Sequence, residues 1–439
     1  MGRFRVKYLL LTLWVITLGL LLKIPGSRLE MWGIIPLYGI AFANYLALNK
    51  SRIHFLEISL VSLALLVVTS TDLPIMSDDF YRFYWDGFVF SEGINVYQYT
   101  PEQLGDIISV DASLILVLEG MNSPSYFAVY TPLNELFYAL PFYLGIKGLG
   151  QFVFFQRVLF TLFYLFAYCS IGRVENNGLK TGLNWLFLNP LLWLEGLGNL
   201  HVEGIIICIA ISAAAIAYKN RVFAGILASI SVVLKISTLP IFLYFTLWFR
   251  GKIRRLFILL TLVLGLGSLL VIGEINHLEN LISSLRLFSE TFEFNGSIYQ
   301  LVNYLVSQIV GYNSIFYVGK TLNLLALIFG GIIIYRWHKK QEHEGASNWA
   351  LMAQVLAVIF LLFSTTVHPW YLLIPLSFSI FLINPFVIAW SGTIMLSYFY
   401  YQNYQYGLWI WLEYLIPFAV AFIYKLKTGS WVKFHDSRL

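Results

Sequence analysis

The sequence predicts an all-α polytopic membrane protein, and three observations carry that prediction. Of 439 residues, 59% are hydrophobic and 12% charged, the mean hydropathy is +0.75, and apolar runs of about twenty residues recur along the chain. A soluble core would not need so much apolar sequence. The formal charge of +5 comes largely from Lys and Arg near expected helix ends, and no basic stripe of the kind that nucleic acid requires is evident. Cys169 and Cys208 both fall inside apolar segments and read as small core residues rather than a disulfide or a metal site.

Taken in order, the start, MGRFRVKYLLLTLWVITLGLLLKIPG, has the basic head and apolar body of a signal peptide. No small-residue cleavage site precedes Pro25 and more spans follow, so a retained first helix with a cytoplasmic N-terminus is expected. Spans at about 8–24, 31–48 and 54–71 are separated by Arg28 on one side and by Lys50 and Arg52 on the other, and the basic-loop rule puts Lys50 inside. Asp78 is then extracytoplasmic. Residues at about 72–150 form no clean span: a polar aromatic loop, the amphipathic piece ASLILVLEGM, and YFAVYTPLNELFYALPFYLG, broken by Pro132 and Pro141. They are expected to form a large extracytoplasmic loop carrying interfacial helices.

The later spans follow from requiring each basic cluster to be cytoplasmic: Arg173 with Lys180, Lys219 with Arg221, Arg250 to Arg255, Arg336 to Lys340, and Lys425 to Arg438. This gives helices at roughly 151–172, 183–198 and 201–218, then a broken pair over about 222–249 hinged near Lys235 and Pro240. Further spans are expected at roughly 253–273, 313–336, 349–367, 371–383, 386–401 and 407–424, with about 298–311 interfacial or re-entrant. The whole chain is read as a single integral membrane domain of about 11–14 transmembrane helices with both termini cytoplasmic. Four polar junctions, GNLHVEG, LKISTLP, EFNGSIYQ and VHPWY, then emerge on the same face as Asp78. One face collects acids, imidazoles and a lysine, and the other collects only solvated basic loops.

The stretch MSDDFYRFYWDGFVFSEGINVYQYT, Met76 to Thr100, crowds Asp78, Asp79, Arg82, Asp86 and Glu92 among aromatic residues. Capping by Ser77 or Asp78 would account for one carboxylate, but not for two acids with Arg82 one turn on and Asp86 another turn beyond. Ionisable groups at membrane depth usually mark a site. Glu195, Asn199, His201 and Glu203 surround a junction rich in glycine, where a simple turn facing headgroups competes evenly with a catalytic or ligand-orienting role. The HxE spacing has no second ligand pair, so metal is not indicated. Lys235, in SVVLKISTLP, either snorkels or ligates an anionic phosphate. His368, before Pro369, Trp370 and Tyr371, is comparable, with an aromatic belt as the alternative. Asn295 to Ser297 form a glycosylation sequon of the kind that occurs often by chance.

These residues resemble the GT-C superfamily of membrane glycosyltransferases, in particular bacterial polyprenyl-phosphate-mannose-dependent mannosyltransferases and, more distantly, the GPI mannosyltransferase I family. The resemblance is carried by SDDFYRFYWDGFVFSEGINVYQY, YTPLNELFY, NPLLWLEGLGNLHVEG and LKISTLP, and it extends over most of the chain. It departs from the family pattern at Val96 and at Asn134 to Leu136. The resemblance implies a GT-C-like bundle in a bacterial plasma membrane. It also implies inverting transfer of a hexose, mannose by the same likeness, from a lipid-phosphate sugar to a glycan or glycolipid hydroxyl on the extracytoplasmic face. Asp78 is the expected base, with Asp79 as the stand-in. Arg82, Lys235 and His368 are candidates for the donor phosphate, and Asp86, His201 and Glu203 for sugar hydroxyls or for orienting the cations. Tyr81, Trp85 and Tyr97 are candidates for stacking on sugar, with packing of the loop the stronger expectation for each. The expected partners are the polyprenyl-phosphate sugar, the acceptor and membrane lipid. No cofactor is called for, and a divalent metal is possible without being indicated.

Two other function classes compete. A transporter or lipid flippase would explain many helices and buried charge, but it would place its site near the midplane between internal repeats, and no repeat is evident. A lipid-linked glycan polymerase or ligase is expected to use Arg and His rather than a leading acid pair.

Overall fold

Long apolar runs close their backbone hydrogen bonds internally, because a bilayer offers no other partner, and the chain is accordingly almost wholly helical. The computed structural model describes all residues except 1, 25, 109–110, 175–176, 340–344, 403–406 and 436–439. Pro25, Lys340, Arg438 and both chain ends therefore lie outside the described residues.

The first three helices are α1 (Gly2–Leu21), α2 (Met31–Leu48) and α3 (Phe55–Val68). Four short ones follow: α4 (Asp79–Ser91), α5 (Pro101–Ile107), α6 (Ala112–Gly120) and α7 (Pro132–Tyr143). Next come α8 (Leu149–Gly172), α9 (Asn177–Phe187) and the single turn α10 (Pro190–Leu192), which widens into π-helix over Trp193–Gly198. The chain continues through α11 (Glu203–Ile216), α12 (Arg221–Val233), a 3-10 turn at Ile236–Thr238, α13 (Leu239–Trp248) and α14 (Gly251–Ile272). Beyond these lie α15 (Ile275–Glu290), α16 (Ser297–Val310), α17 (Ile315–Lys339), α18 (Ala346–Phe363), α19 (Leu373–Ser377), α20 (Pro385–Thr393) and α21 (Leu408–Thr428).

Among the described residues, six helices are long and apolar enough to cross a membrane: α2, α8, α14, α17, α18 and α21. A seventh is counted if Pro190–Gly198 and α11, bent by 118° from one another, form one broken span. This is fewer than the eleven to fourteen expected. Polar and proline-bearing junctions cut much of the remaining apolar sequence into shorter helices, such as Phe55–Val68 and Arg221–Val233. The expected helix at 183–198 is the clearest case: Asn189 caps the Leu191 N–H (3.0 Å) ahead of Pro190, and the chain turns there. The expected spans at 371–383 and 386–401 are likewise part 3-10, from Pro369–Leu372 to Phe378–Ile380 and again over Ile394–Gln402. The broken pair near Lys235 and Pro240 is observed as α12 and α13, with Lys235 at the break. The segment around 298–311 is the helix α16, and the amphipathic α15 before it was not anticipated.

The first four basic stretches meet at one end of the bundle. Lys7 bridges Glu57 (2.6 Å), the Tyr168 hydroxyl donates to the Ile53 carbonyl (2.9 Å), the Asn184 amide to Ser51 (2.7 Å), and Lys219 to Arg173 (3.1 Å). A two-residue antiparallel pair, β1 (Leu382–Ile383) with β2 (Lys433–Phe434), ties the stretch after α21 to the turn after α19.

At the other end, residues 72–150 fold into a cap of short helices with its own apolar core, built on Phe83, Trp85, Tyr97, Val117 and Tyr138. Helices α4 and α7 approach so closely that a Cβ on Gly87 would stand 2.4 Å from the Tyr138 carbonyl oxygen. Under the cap lies Arg157, buried within α8. Its guanidinium donates to the carbonyls of Thr69 and of Asp72 (2.5 Å), and to Leu197 (3.1 Å) and Gly198 (3.4 Å). One cation thus satisfies carbonyls just past the end of α3 and in the last turn of the π-helix, where peptide dipoles leave negative charge.

Candidate active site

The four polar junctions and the start of α4 converge beneath the cap. Ser77 Oγ accepts from the Asp79 N–H (3.3 Å) and so starts α4, while Asp78, although it precedes the helix, makes no side-chain cap bond. Its carboxylate instead bridges Arg28 of the α1–α2 loop at 2.7 Å. The two neighbouring acids therefore face different partners, and capping does not account for Asp78.

Asp79 is the less exposed of the two, at 23% against 39%. It accepts from Asn122 (3.0 Å) and lies 3.5 Å from His201 Nε2, and Ser77 Oγ is 3.4 Å from the same nitrogen. The other ring nitrogen of His201, Nδ1, is 2.8 Å from Glu195, which also accepts from Asn199 (3.0 Å). Glu195 is the residue that fixes His201, because each imidazole nitrogen then has a carboxylate. Burial would raise the Asp79 carboxyl, but the bonds from His201 and Asn122 outweigh it and hold Asp79 well below the ordinary aspartate value. Burial likewise opposes the charged imidazole, and the two carboxylates outweigh it and leave His201 raised.

Local backbone explains why His201 points this way. Leu200 takes a φ of 65°, a left-handed conformation rare for a branched residue, and the His201 N–H returns to the Glu195 carbonyl (2.9 Å). Glycine was the expected source of this reversal. The nearby glycines serve close approach instead: a Cβ would meet Phe160 at 2.2 Å on Gly196 and Leu22 at 2.5 Å on Gly198. Strain borne by Leu200 is of the kind that gathers at functional sites.

His201 stacks on Trp370 (ring centres 3.7 Å apart), Trp370 on His368 (4.2 Å) and His368 on Phe294 (4.5 Å). VHPWY is thus brought onto the acidic stretch by an aromatic column. Burial pushes His368 down to about 3, which favours the neutral imidazole over the cation. Lys235 meets Glu203 at 2.5 Å, with Tyr130 and Tyr371 each 5.7 Å from its ammonium. Asn295 of the sequon is buried and gives its amide to Glu413 (3.0 Å), which leaves it closed to modification in this fold.

The remaining expected residues lie apart from this cluster, within the cap. Arg82 gives its Nε to both oxygens of Asp86 (2.8 and 2.7 Å) and its Nη1 to the carbonyls of Ser123 (3.1 Å) and Tyr126 (2.8 Å). It holds the loop before α7 onto α4. Trp85 is buried in the cap core, and the Tyr97 hydroxyl donates to the Tyr130 carbonyl (2.8 Å). Beside them Glu135 is fully buried. Burial first, and then the charge of Asp86, push Glu135 well above the ordinary glutamate value of 4.5. A carboxyl raised in this way costs nothing below its unfolded value and loses stability as pH rises from there toward the folded value. Glu135→Gln mimics the protonated form, so its thermal midpoint at pH 8 is expected to exceed wild type by about 2–4 °C or more. A midpoint that stays equal or falls at pH 8 would contradict this.

Sequence reasoning reads Arg28 only as a loop marker and Trp370 as part of an aromatic belt, and it passes over Asn122; Glu195 it places in a polar cluster where an orienting role competes evenly with a simple turn. Replacing Glu195 by Gln removes one of the two charges that raise His201, and activity is expected to fall about 10- to 100-fold with the thermal midpoint nearly kept, as for loss of an orienting partner. An unchanged turnover number would show that His201 needs no such partner.

Residues 58–251 match the model of the MptA_B family, described as alpha-(1->6)-mannopyranosyltransferase, N-terminal domain. The matched stretch contains the cap, both acids, Glu195, His201, Glu203 and Lys235. The match supports the resemblance to GT-C mannosyltransferases and with it mannosyl transfer as the reaction. Neither the curated proteins nor the solved structures gave a match.

Proposed function

We infer that this integral membrane protein is an inverting mannosyltransferase that takes mannose from a polyprenyl-phosphate donor at the extracytoplasmic face. The observation that carries the reading is the gathering of Asp78, Asp79, His201, Lys235 and His368 at one end of the bundle, opposite the basic loops. The basic-loop rule makes that end the outer one. Asp78 is the better placed base, being the more exposed acid, whereas Asp79 is committed to Asn122 and His201.

In the reaction an acceptor hydroxyl oxygen attacks the anomeric carbon from the side opposite the phosphate, and Asp78 takes the hydroxyl proton. The new C–O bond forms as the old one breaks, and the electron pair of the old bond leaves on the phosphate oxygen to give polyprenyl phosphate. A lipid phosphate needs no protonation to leave, so a second carboxylic acid of the glycosidase kind is unnecessary. Asp79, His201 and Glu195 form a buried relay of fixed charge that orients the start of α4. Lys235 and the aromatic column supply a cationic and stacking wall for phosphate and sugar.

The test is purified full-length protein in liposomes with polyprenyl-phosphate mannose and a synthetic α-mannoside acceptor. Transfer with a changed anomeric configuration, read from the anomeric proton by NMR, is the expected result. Movement of lipid or solute across the bilayer with no transfer to any acceptor would favour a transporter instead.

A further inference from the structure

Of the three cations Arg28, Arg82 and Lys235, the last two are already bonded to surrounding groups, Arg82 in the cap and Lys235 at the cluster. Arg82 is held by Asp86 and two carbonyls, and Lys235 by the buried Glu203. Arg28 differs. It comes from the α1–α2 loop and bridges Asp78, the acid placed to act as base. Among the described residues, Asp78 is the carboxylate it bridges, and its guanidinium carbon lies over the Tyr401 ring, 4.2 Å from the centre. The backbone beside it is fixed, with the Leu29 carbonyl accepting from the Gln402 side chain and Lys23 bridging Asp72 (3.3 Å). Both partners of the bridge remain reachable, Arg28 at 24% and Asp78 at 39% exposure.

An ion pair this exposed contributes little to stability, so a competing anion can open it. A phosphate is the strongest such competitor, since it offers the planar guanidinium a two-pronged, charge-assisted contact. While the bridge is closed, the Asp78 carboxylate faces Arg28 instead of an acceptor hydroxyl, and the base is free to engage the acceptor once the clasp opens.

We propose that Arg28 joins Lys235 in binding the donor phosphate, and that the arriving phosphate draws Arg28 off Asp78 and so frees the base. This rests on the glycosyl-transfer reading given above. Donor binding and activation of the base become one event, and an acceptor alone meets a base that is still clasped. The exchange also resets itself. After transfer Asp78 carries the acceptor's proton and, being neutral, does not compete for Arg28, which holds the polyprenyl phosphate. When that proton is lost to water, Asp78 reclaims Arg28 and the product is released.

The test measures binding of polyprenyl phosphate to full-length protein in nanodiscs, together with donor kinetics, for wild type, Arg28→Ala, Arg28→Lys and Asp78→Asn. Arg28→Ala is expected to weaken binding about 10- to 100-fold and to raise the donor KM by a similar factor, with Arg28→Lys intermediate. Asp78→Asn releases Arg28 and is expected to bind polyprenyl phosphate about 3- to 10-fold more tightly although it transfers nothing. A purely structural clasp predicts a lower thermal midpoint with unchanged binding. Wild-type affinity in Arg28→Ala, or no gain in Asp78→Asn, overturns the exchange while transfer by wild type leaves the general reading intact. Wild type that neither binds polyprenyl phosphate nor transfers mannose overturns both.

Discussion

Asp78→Asn is expected to abolish mannosyl transfer, by about 10²- to 10⁴-fold, while the detergent-solubilised protein melts at the wild-type temperature. The amide keeps the shape and can no longer accept the acceptor's proton. It loses only an exposed bridge to Arg28, so stability should hardly move. Asp79→Asn separates the two acids. Its loss should be smaller and accompanied by a lower thermal midpoint, because the Asp79 carboxylate is bonded to Asn122 and faces His201. Full activity in both variants would eliminate the proposed base.

Arg157→Ala is expected to prevent accumulation of folded protein, or to lower its thermal midpoint by more than any site variant. The guanidinium meets four carbonyls from two separate elements; its removal leaves those of buried Leu197 and Gly198 without this donor, while the Thr69 carbonyl keeps the Asp72 N–H (3.2 Å). Each buried orphan costs about 1–3 kcal/mol, so the sum is a large fraction of the stability of an ordinary domain. Arg157→Lys retains the charge but not the fork and should fall between. The check is yield of monodisperse protein and thermal melting in detergent. A monodisperse Arg157→Ala that melts as wild type would show that water can replace the arginine.

Much of the site was legible because charge is rare in this chain. Asp78, Asp79, His201, Glu203, Lys235 and His368 each stand out against apolar neighbours, and requiring the basic clusters to share one face sent all of them to the other. The contacts observed among the four junctions agree with that placement. What escaped was pairing. Arg28 reaches Asp78 from fifty residues away, and no periodicity links a residue in a loop between the first two helices to the start of the fourth. Arg157 was hidden for the opposite reason: it lies inside an apolar run that reads as an uninterrupted span, and nothing local announces the carbonyls it serves. Among the described residues the count of spans falls below expectation where a junction such as Asn189–Pro190 cuts apolar sequence, since hydropathy sees the apolar residues and not the turn.

The position of Arg157 also bears on how the chain enters the bilayer during synthesis. A lone arginine near the middle of a span opposes insertion by about 2.5–3.5 kcal/mol on the translocon scale. Two of its four partners, the carbonyls of Thr69 and Asp72, are made before it, and the other two, Leu197 and Gly198, after it. When α8 leaves the ribosome, the acceptors at the end of α3 are already at the membrane and can take the charge as it arrives. The second pair then locks a helix pairing begun during translation, so the order of residues along the chain becomes an order of assembly.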